Sequence, residues 1–175
     1  KAAGKQAEAG QDEELTRRTP ATIALDHYLL ACAAYDAQSM AEAIKQYEAA
    51  LRVEPTHYWS LLALGWCLSN RDRREPDLVS AAGVYTGCIL HRPDHARPYS
   101  GRGYVYGCLK RFAEAEADLR QAARLRPDSP YTHFHLGWIL DAQGRSTEAE
   151  AEFREAIRLR PDVREAHHRL GLALH

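Results

Sequence analysis

The sequence lacks an excess of charge of either sign, a long apolar run, and any alternation of polar and apolar residues with a period of two. Its 23 Lys and Arg residues against 24 Asp and Glu residues give a net charge of −1, so there is no basic field to attract nucleic acid. No segment approaches the roughly 18 consecutive apolar residues of a transmembrane helix. The missing period-two alternation argues against β-strands. We therefore expect an all-α fold and a partner that is neither nucleic acid nor a membrane.

The cysteines are few and widely spaced. They are Cys32, Cys67, Cys88 and Cys108, without a C-x-x-C pair, which is too sparse for a disulfide scaffold. Each stands where a small apolar residue suits one face of a helix, so we expect buried or half-buried thiols. Thiols that stay reduced are typical of a reducing compartment, and they favour a cytoplasmic location.

Catalytic and metal-binding motifs are also scarce. Gly101, Gly103 and Gly107 form a G-x-G-x3-G pattern, but they fall inside a helical pattern, whereas a dinucleotide loop joins a strand to a helix. His133 and His135 are two residues apart, so they point about 200° apart on a helix. No G-x-S-x-G, H-E-x-x-H or P-loop sequence occurs. We expect no enzyme activity, no cofactor and no metal site in this chain.

What the sequence does contain is a repeat. Four prolines that close apolar runs are separated by 38, 34 and 34 residues, namely Pro55, Pro93, Pro127 and Pro161. Three further series keep this spacing: Ala43, Ala81, Ala115 and Ala149; the bulky Tyr47, Tyr85, Leu119 and Phe153; and the small Ala50, Cys88, Ala122 and Ala156. A fourth series of small residues precedes them, namely Ala31, Gly65, Gly103, Gly137 and Gly171. Comparing the series places the four additional residues of the second unit in the charged stretch 70–77, which we expect to be a solvated loop.

A period of 34 with a small residue, an alanine, an aromatic residue and a closing proline resembles the tetratricopeptide repeat. The register gives four full repeats, at about 24–57, 58–95, 96–129 and 130–163, and the first helix of a fifth over 164–175. The resemblance implies helix–turn–helix units that stack into an α-solenoid, a right-handed superhelix. Arg102 departs from the family pattern, which has Leu there. Residues 1–19 do not fit the repeat, and we expect them to be a polar tail or linker.

Local signals predict where several helices begin. Thr19 and Ser129 precede Pro20 and Pro130, so each of the two is expected to cap a helix whose first residue is a proline. The sequence Ser-Met-Ala-Glu over 39–42 predicts a capping box. The chain opens without Met, and its helical pattern continues to the last residue, so we expect a piece of a longer protein.

The resemblance also implies that the first helix of each repeat lines a concave surface. In the second repeat the core stripe is Leu61, Leu64 and Leu68, and a second stripe of larger side chains lies about 100° further round the helix. Carrying that stripe through all repeats gives the predicted groove residues: Tyr28, Tyr35, Trp59, Leu62, Trp66, Arg97, Ser100, Tyr104, Tyr131, Phe134, Trp138, Asp141 and His168. The alternative is that neighbouring repeats bury these aromatics as a wider core.

The sequence therefore predicts a non-catalytic interaction scaffold that binds a peptide or partner protein in an aromatic groove. Some members of the family hold acidic chaperone tails with a carboxylate clamp of Lys, Arg and Asn. Its positions here hold Tyr28, Cys32, Ala63, Arg97 and Gly101 in one register, and the other register also fails, so we expect no binding of such tails.

Two further interpretations of the repeat stay open. The chain is a regulatory or substrate-docking module of a larger enzyme, such as a kinase or glycosyltransferase, or it is a self-associating assembly module. Self-association would use the apolar end of the last helix at Leu170, Leu172 and Leu174, and it would give a homodimer.

Overall fold

The computed structural model describes the backbone of residues 19–173, with side chains as far as Gly171. Within that range there are only helices, and no strand occurs. They are α1 (Pro20–Asp36), α2 (Met40–Val53), α3 (Tyr58–Asn70), α4 (Glu75–His91), α5 (Ala96–Cys108), α6 (Phe112–Leu125), α7 (Pro130–Ala142), α8 (Ser146–Leu159) and α9 (Arg164–Ala173). The predicted all-α class is thereby confirmed. The predicted tail lies outside the described residues, apart from Thr19.

The chain divides into two compact units, Lys1–Ser60 and Leu61–His175. In the first unit, α1 packs against α2 as a helix hairpin. In the second unit, each helix from α4 onwards packs against the next one along the chain, and α5 also contacts α7. These are the pairings of a helical repeat, in which each unit contacts its neighbours in sequence.

The repeated positions form the core. The alanine, bulky and small series of the second helices are all buried, with Leu119 and Phe153 at 0% exposure. In the second unit, α6, α7 and α8 share one apolar cluster, which includes Leu119 of α6, Leu136 of α7 and Phe153 of α8. The four cysteines all lie in the described range, none of them is in a disulfide, and each is buried or half-buried, as the sequence predicts.

The glycines of α5 are explained by packing. A Cβ atom on Gly101 would stand 2.5 Å from the ring of Tyr85 in α4, and one on Gly103 would stand 2.7 Å from Leu119 in α6. A Cβ on Gly107 would stand 2.6 Å from Ile139 in α7. Three neighbouring helices therefore approach α5 at its glycines, so this G-x-G-x3-G pattern is a helix-packing feature.

Two of the three predicted caps are present. Thr19 and Ser129 accept hydrogen bonds from the backbone N–H groups three residues on, and Pro20 and Pro130 open their helices. The capping box at Ser39 is wrong, because its side chain makes no cap hydrogen bond. Its backbone has φ −92° and ψ 72° rather than the extended conformation of a side-chain cap.

The loop in the second repeat is shorter than the sequence predicts. Only residues 71–74 are non-helical, because α4 begins at Glu75 and has 17 residues, whereas α2, α6 and α8 have 14 each. The expectation of a loop over 70–77 is therefore wrong at Asn70, which ends α3, and over 75–77, which lie in α4. Arg71 pairs with Asp77 and Arg74 pairs with Asp72, so the charges of the stretch neutralise one another across the new helix start.

Arg102, which stands where the family has Leu, is half-buried and bonded to side chains of two neighbouring helices. Its guanidinium donates two hydrogen bonds of 2.7 and 2.9 Å to the carboxylate of Asp118 and one of 2.9 Å to the hydroxyl of Thr86. These bonds join α4, α5 and α6. Asp118 is 7% exposed, so the pair is a charge-assisted contact inside the repeat packing.

Candidate peptide-binding surface

All thirteen predicted groove residues lie on the first helices of the repeats, α1, α3, α5, α7 and α9. Within α3, the core stripe of Leu61, Leu64 and Leu68 is at most 9% exposed. Trp66, on the neighbouring stripe, is 43% exposed. The helix therefore buries one stripe and presents a large aromatic side chain to solvent beside it.

The first unit holds three of the predicted residues. Trp59 is 50% and Tyr35 is 39% exposed, and Tyr28 is half-buried. The ring of Tyr28 lies 5.9 Å from that of Tyr47 and 5.5 Å from that of His57. Burial raises the pKa of the Tyr28 phenol, as does the neighbouring Cys32 thiol, so this side chain is neutral at physiological pH.

In the second unit, α5 and α7 bring aromatic rings together. The ring centroid of Tyr104 lies 5.0 Å from that of His135 and 6.1 Å from that of Trp138. Trp138 is half-buried and packs on the apolar cluster of α6, α7 and α8, as does Phe134. A Cβ on Gly107 would stand 2.8 Å from the Trp138 ring. Trp138 thus has the packing contacts that the wider-core alternative expects, whereas Trp59 and Trp66 remain exposed.

Sequence reasoning missed His135 as part of this surface. Its Nδ1 is buried without a hydrogen-bond partner among the described residues, and burial lowers the pKa of the ring to about 4. The ring is therefore neutral at physiological pH. The repeat register could have identified His135, because it is a large side chain at the position where α3 and α5 have the small residues Ala63 and Gly101.

His133, two residues earlier on α7, has the opposite environment. Its Nδ1 lies 2.7 Å from a carboxylate oxygen of Glu152 and its Nε2 lies 2.8 Å from the carbonyl oxygen of Pro127. The bond to Glu152 raises the pKa of His133. The two histidines thus point to different surroundings, and in the described part of the chain no three His, Cys, Asp or Glu side chains converge as metal ligands would.

The charged members of the predicted set are few. Arg97 is exposed, and no ion pair joins it to a described residue. Asp141 lies 3.7 Å from the guanidinium of Arg169. Tyr131, 52% exposed, accepts a hydrogen bond of 2.8 Å from Arg160, whose guanidinium lies 5.0 Å from the ring centroid. Leu62 and Ser100 are half-buried and His168 is exposed, so most of this surface is aromatic or uncharged.

A sequence profile of the tetratricopeptide repeat matches residues 28–86, 101–164 and 134–175. The chain belongs to the tetratricopeptide repeat family. Among curated protein sequences, none matches this tetratricopeptide repeat chain.

Solved structures match the fold. MamA from Desulfovibrio magneticus RS-1 aligns with a TM-score of 0.75 at 21% identity, covering 86% of this chain and 82% of that one. TTC0263 from Thermus thermophilus, a thermophilic TPR protein, aligns with a TM-score of 0.70 at 24% identity, covering 85% and 79%. The first TPR of Spaghetti (RPAP3), bound to an HSP90 peptide, SRMEEVD, aligns with a TM-score of 0.61 at 23% identity, covering 67% and 90%. At these identities the likeness concerns the tetratricopeptide repeat fold alone.

Across the described residues, every helix of this tetratricopeptide repeat chain is too short or too polar to cross a membrane. Of the residues expected to form an apolar C-terminal end, Leu170 is half-buried and packs on the cluster of α6, α7 and α8. The side chains of Leu172 and Leu174 lie outside the described residues.

Proposed function

We propose that this tetratricopeptide repeat chain is a non-catalytic scaffold that binds a peptide or a partner protein through the exposed stripe of its first helices. Tetratricopeptide repeats are protein-interaction scaffolds. In the second unit the proposed contact residues are Leu62, Trp66, Arg97, Ser100, Tyr104, Tyr131, Phe134, Trp138, Asp141 and His168. In the first unit they are Tyr28, Tyr35 and Trp59.

The observation that carries the proposal is the exposure of Trp66 beside a fully buried stripe. A tryptophan side chain has about 200 Å² of accessible surface, and 43% of it is exposed here. Covering that part removes roughly 90 Å² from water, which is worth about 2 kcal/mol at 25 cal/mol/Å² before the costs of association. An apolar or aromatic side chain of a ligand has the chemistry to gain that free energy.

The neutral character of the surface supports an uncharged anchor. Burial holds His135 neutral at physiological pH, and Asp141 has Arg169 at 3.7 Å. The ligand that fits best is therefore a peptide with aliphatic or aromatic anchors, in which Arg97 orients a carboxylate or carbonyl group. We further propose that the chain works in a reducing compartment such as the cytoplasm, since none of its four cysteines is in a disulfide.

The test is a selection from a displayed library of random 12-residue peptides, followed by fluorescence anisotropy with the selected synthetic peptides. We expect Trp66→Ala to weaken binding by at least tenfold while the helical circular dichroism stays unchanged. The matched control is Leu90→Ala, because Leu90 is 77% exposed on α4, away from the first helices. Selected peptides whose affinity is indifferent to Trp66→Ala, Tyr104→Ala and Trp138→Ala would contradict the proposal.

The same variants separate the rival interpretations. Sedimentation velocity of the intact chain reports a homodimer directly, and a dimer that Trp66→Ala leaves intact uses a different surface. A docking role within a larger enzyme would use the same stripe. It is tested by measuring the activity of that enzyme with and without the substitution Trp66→Ala.

A further inference from the structure

The residues that follow the second helices of the third and fourth repeats have the same backbone geometry. Arg126 follows α6 with φ −143° and ψ 91°, and Arg160 follows α8 with φ −147° and ψ 103°. The backbone N–H of each donates a hydrogen bond to the carbonyl oxygen of an alanine four residues earlier, Ala122 and Ala156 respectively. The two arginines therefore stand at equivalent places in successive repeats.

In the fourth repeat the structure shows which side chain lies beside this position. The guanidinium of Arg160 donates a hydrogen bond of 2.8 Å to the hydroxyl of Tyr131 and lies 5.0 Å from the centroid of its ring. Tyr131 is the second residue of α7, and the second residue of α5 is Arg97. Because α5 packs on α6 as α7 packs on α8, the equivalent neighbour of Arg126 in the third repeat is Arg97.

The third repeat thus sets two cations side by side. The position of Arg97 holds Leu25 in the first repeat and Trp59 in the second, so the doubled positive charge belongs to this repeat. Arg97 and Arg126 are both exposed, and neither forms an ion pair with a described residue. Adjacent like charges repel each other. An anion that binds both side chains removes that repulsion and accepts charge-assisted hydrogen bonds from both.

The position of this arginine pair, Arg97 with Arg126, relates it to the aromatic surface of the proposed function. Arg97 and Tyr104 lie on one stripe of α5, seven residues and therefore about 10 Å apart along the helix axis. An extended peptide advances about 3.3 Å per residue, so three residues cover that distance. A ligand with an aromatic anchor beside Tyr104 and Trp138 therefore brings the residue three positions away to the arginine pair.

We propose that the arginine pair binds the phosphate group of a phosphorylated serine or threonine, three residues from the aromatic anchor of the bound peptide. This assignment rests on the proposed function, because it requires the peptide to occupy that surface. A phosphate monoester carries a charge of about −1.5 to −2 at pH 7 and has three acceptor oxygens. It can therefore neutralise both guanidinium groups and accept the paired N–H donors of each. A carboxylate, with a single negative charge, neutralises only one of them.

The probes are fluorescein-labelled, amidated peptides with the sequences Ala-pSer-Ala-Ala-Trp-Ala and Ala-Trp-Ala-Ala-pSer-Ala, since the direction of the ligand is open. Each has two counterparts, with serine or glutamate in place of phosphoserine. In fluorescence anisotropy with the intact chain, we expect one phosphorylated probe to bind at least tenfold more tightly than both of its counterparts. Raising the salt concentration should reduce this preference, because salt screens the attraction between exposed charges.

The variants separate the arginine pair from general positive charge. Arg126→Gln should abolish the preference for phosphate, and Arg126→Lys should keep part of it, because lysine is charged but lacks the paired donors of a guanidinium. The matched control is Arg124→Gln, which removes the same charge two residues earlier. Arg124 is exposed and donates its hydrogen bonds to Gln121. Because Arg126 is also exposed, its variants should keep the circular dichroism and melting midpoint of the parent chain.

The outcomes distinguish this assignment from the proposed function. A phosphate preference that Arg126→Gln abolishes and Arg124→Gln leaves unchanged supports the assignment. Equal binding of the phosphoserine and serine probes overturns it and leaves the proposed function intact, whereas equal binding of the phosphoserine and glutamate probes makes the site a carboxylate site. Phosphate-dependent binding that persists after the tryptophan of the probe is replaced by alanine overturns the placement beside the anchor.

Absence of saturable binding by both phosphorylated probes also overturns the assignment. The proposed function is then decided separately, by the peptides selected from the displayed library and their response to Trp66→Ala.

Discussion

Replacing Asp118 by alanine should destabilise the second unit strongly, because the change leaves the guanidinium of Arg102 half-buried without its carboxylate partner. The Arg102 and Asp118 side chains are 18% and 10% exposed, and two hydrogen bonds of 2.7 and 2.9 Å join them. Breaking one partner of a buried ion pair costs about 3–5 kcal/mol. For a domain of this size that corresponds to a fall of about 10–20 °C in the melting midpoint.

The repeat itself supplies the compensating variant. In the preceding repeat the positions of Arg102 and Asp118 hold Leu64 and Val84, so an apolar pair fits the same packing. We expect the double variant Arg102→Leu/Asp118→Val to recover most of the lost stability, since replacing both partners by apolar residues is often neutral. Thr86 keeps a hydrogen bond to the carbonyl oxygen of Ala82 in that variant.

The assay is urea and thermal unfolding followed by circular dichroism for the parent, both single variants and the double variant, arranged as a thermodynamic cycle. The control is Glu114→Ala, which breaks the exposed pair of Glu114 with Arg111 and should leave the midpoint almost unchanged. The reasoning is refuted if Asp118→Ala is no more harmful than Glu114→Ala, or if the double variant is less stable than Asp118→Ala alone.

Three further outcomes follow from the structure. Because the pKa of His135 is about 4 in the folded chain and near 6.5 when unfolded, the unfolded state binds a proton more readily. Acidification from pH 7 to pH 5 should therefore remove about 2 kcal/mol through His135 alone, and His135→Phe should abolish this contribution in unfolding titrations. Gly137→Ala should lower the melting midpoint, since the new Cβ would stand 2.8 Å from Phe153, whereas Gly83→Ala, with nothing within 4 Å, should raise stability by about 0.5–1 kcal/mol. The peptide SRMEEVD should show no saturable change in fluorescence anisotropy with this chain. Saturable binding that 300 mM salt abolishes would instead indicate a carboxylate clamp, because salt screens the attraction between charged groups.

Much of the fold could be predicted because repeat packing depends on side-chain volume at fixed intervals. The interval of 34 residues sets Gly137 opposite Phe153 and Gly103 opposite Leu119, and the structure brings both pairs within contact. The residue type gives the side-chain volume at each position, so the core residues could be predicted from the sequence. Arg102 did not, because its partner Asp118 lies on another helix and looks like an ordinary surface residue in the amphipathic pattern.

The errors concern backbone geometry. The capping box at Ser39 was wrong because capping depends on the dihedral angles that the preceding turn imposes, and Gln38 there has φ 61°. The predicted loop over 70–77 was too long because the additional residues mostly extend a helix: α4 has 17 residues where the other second helices have 14, and only one additional residue lengthens the turn. Glu75 and Pro76 at the start of α4 are compatible with the helix that forms.

For the candidate site, the angle around the helix predicted which aromatics leave the core stripe, and the exposure of Trp59 and Trp66 agrees with that geometry. The angle did not predict that Trp138 would be half-buried. That outcome depends on Gly107, whose missing side chain lets the Trp138 ring lie against the neighbouring helix. Burial of one groove residue is thus set by the volume of a residue in the repeat before it.

Tyr85 has a consequence for how such a chain can change over time. Its ring lies against Gly65 in α3 and Gly101 in α5, where a Cβ would stand 2.9 and 2.5 Å from it. A duplication or exchange that moved this repeat elsewhere in the array would carry Gly65 with it, but the ring would meet a new following helix, whose residue at the Gly101 position would have to be glycine. The second repeat is therefore not an interchangeable module, and recombination would have to transfer it together with the first helix of the repeat that follows.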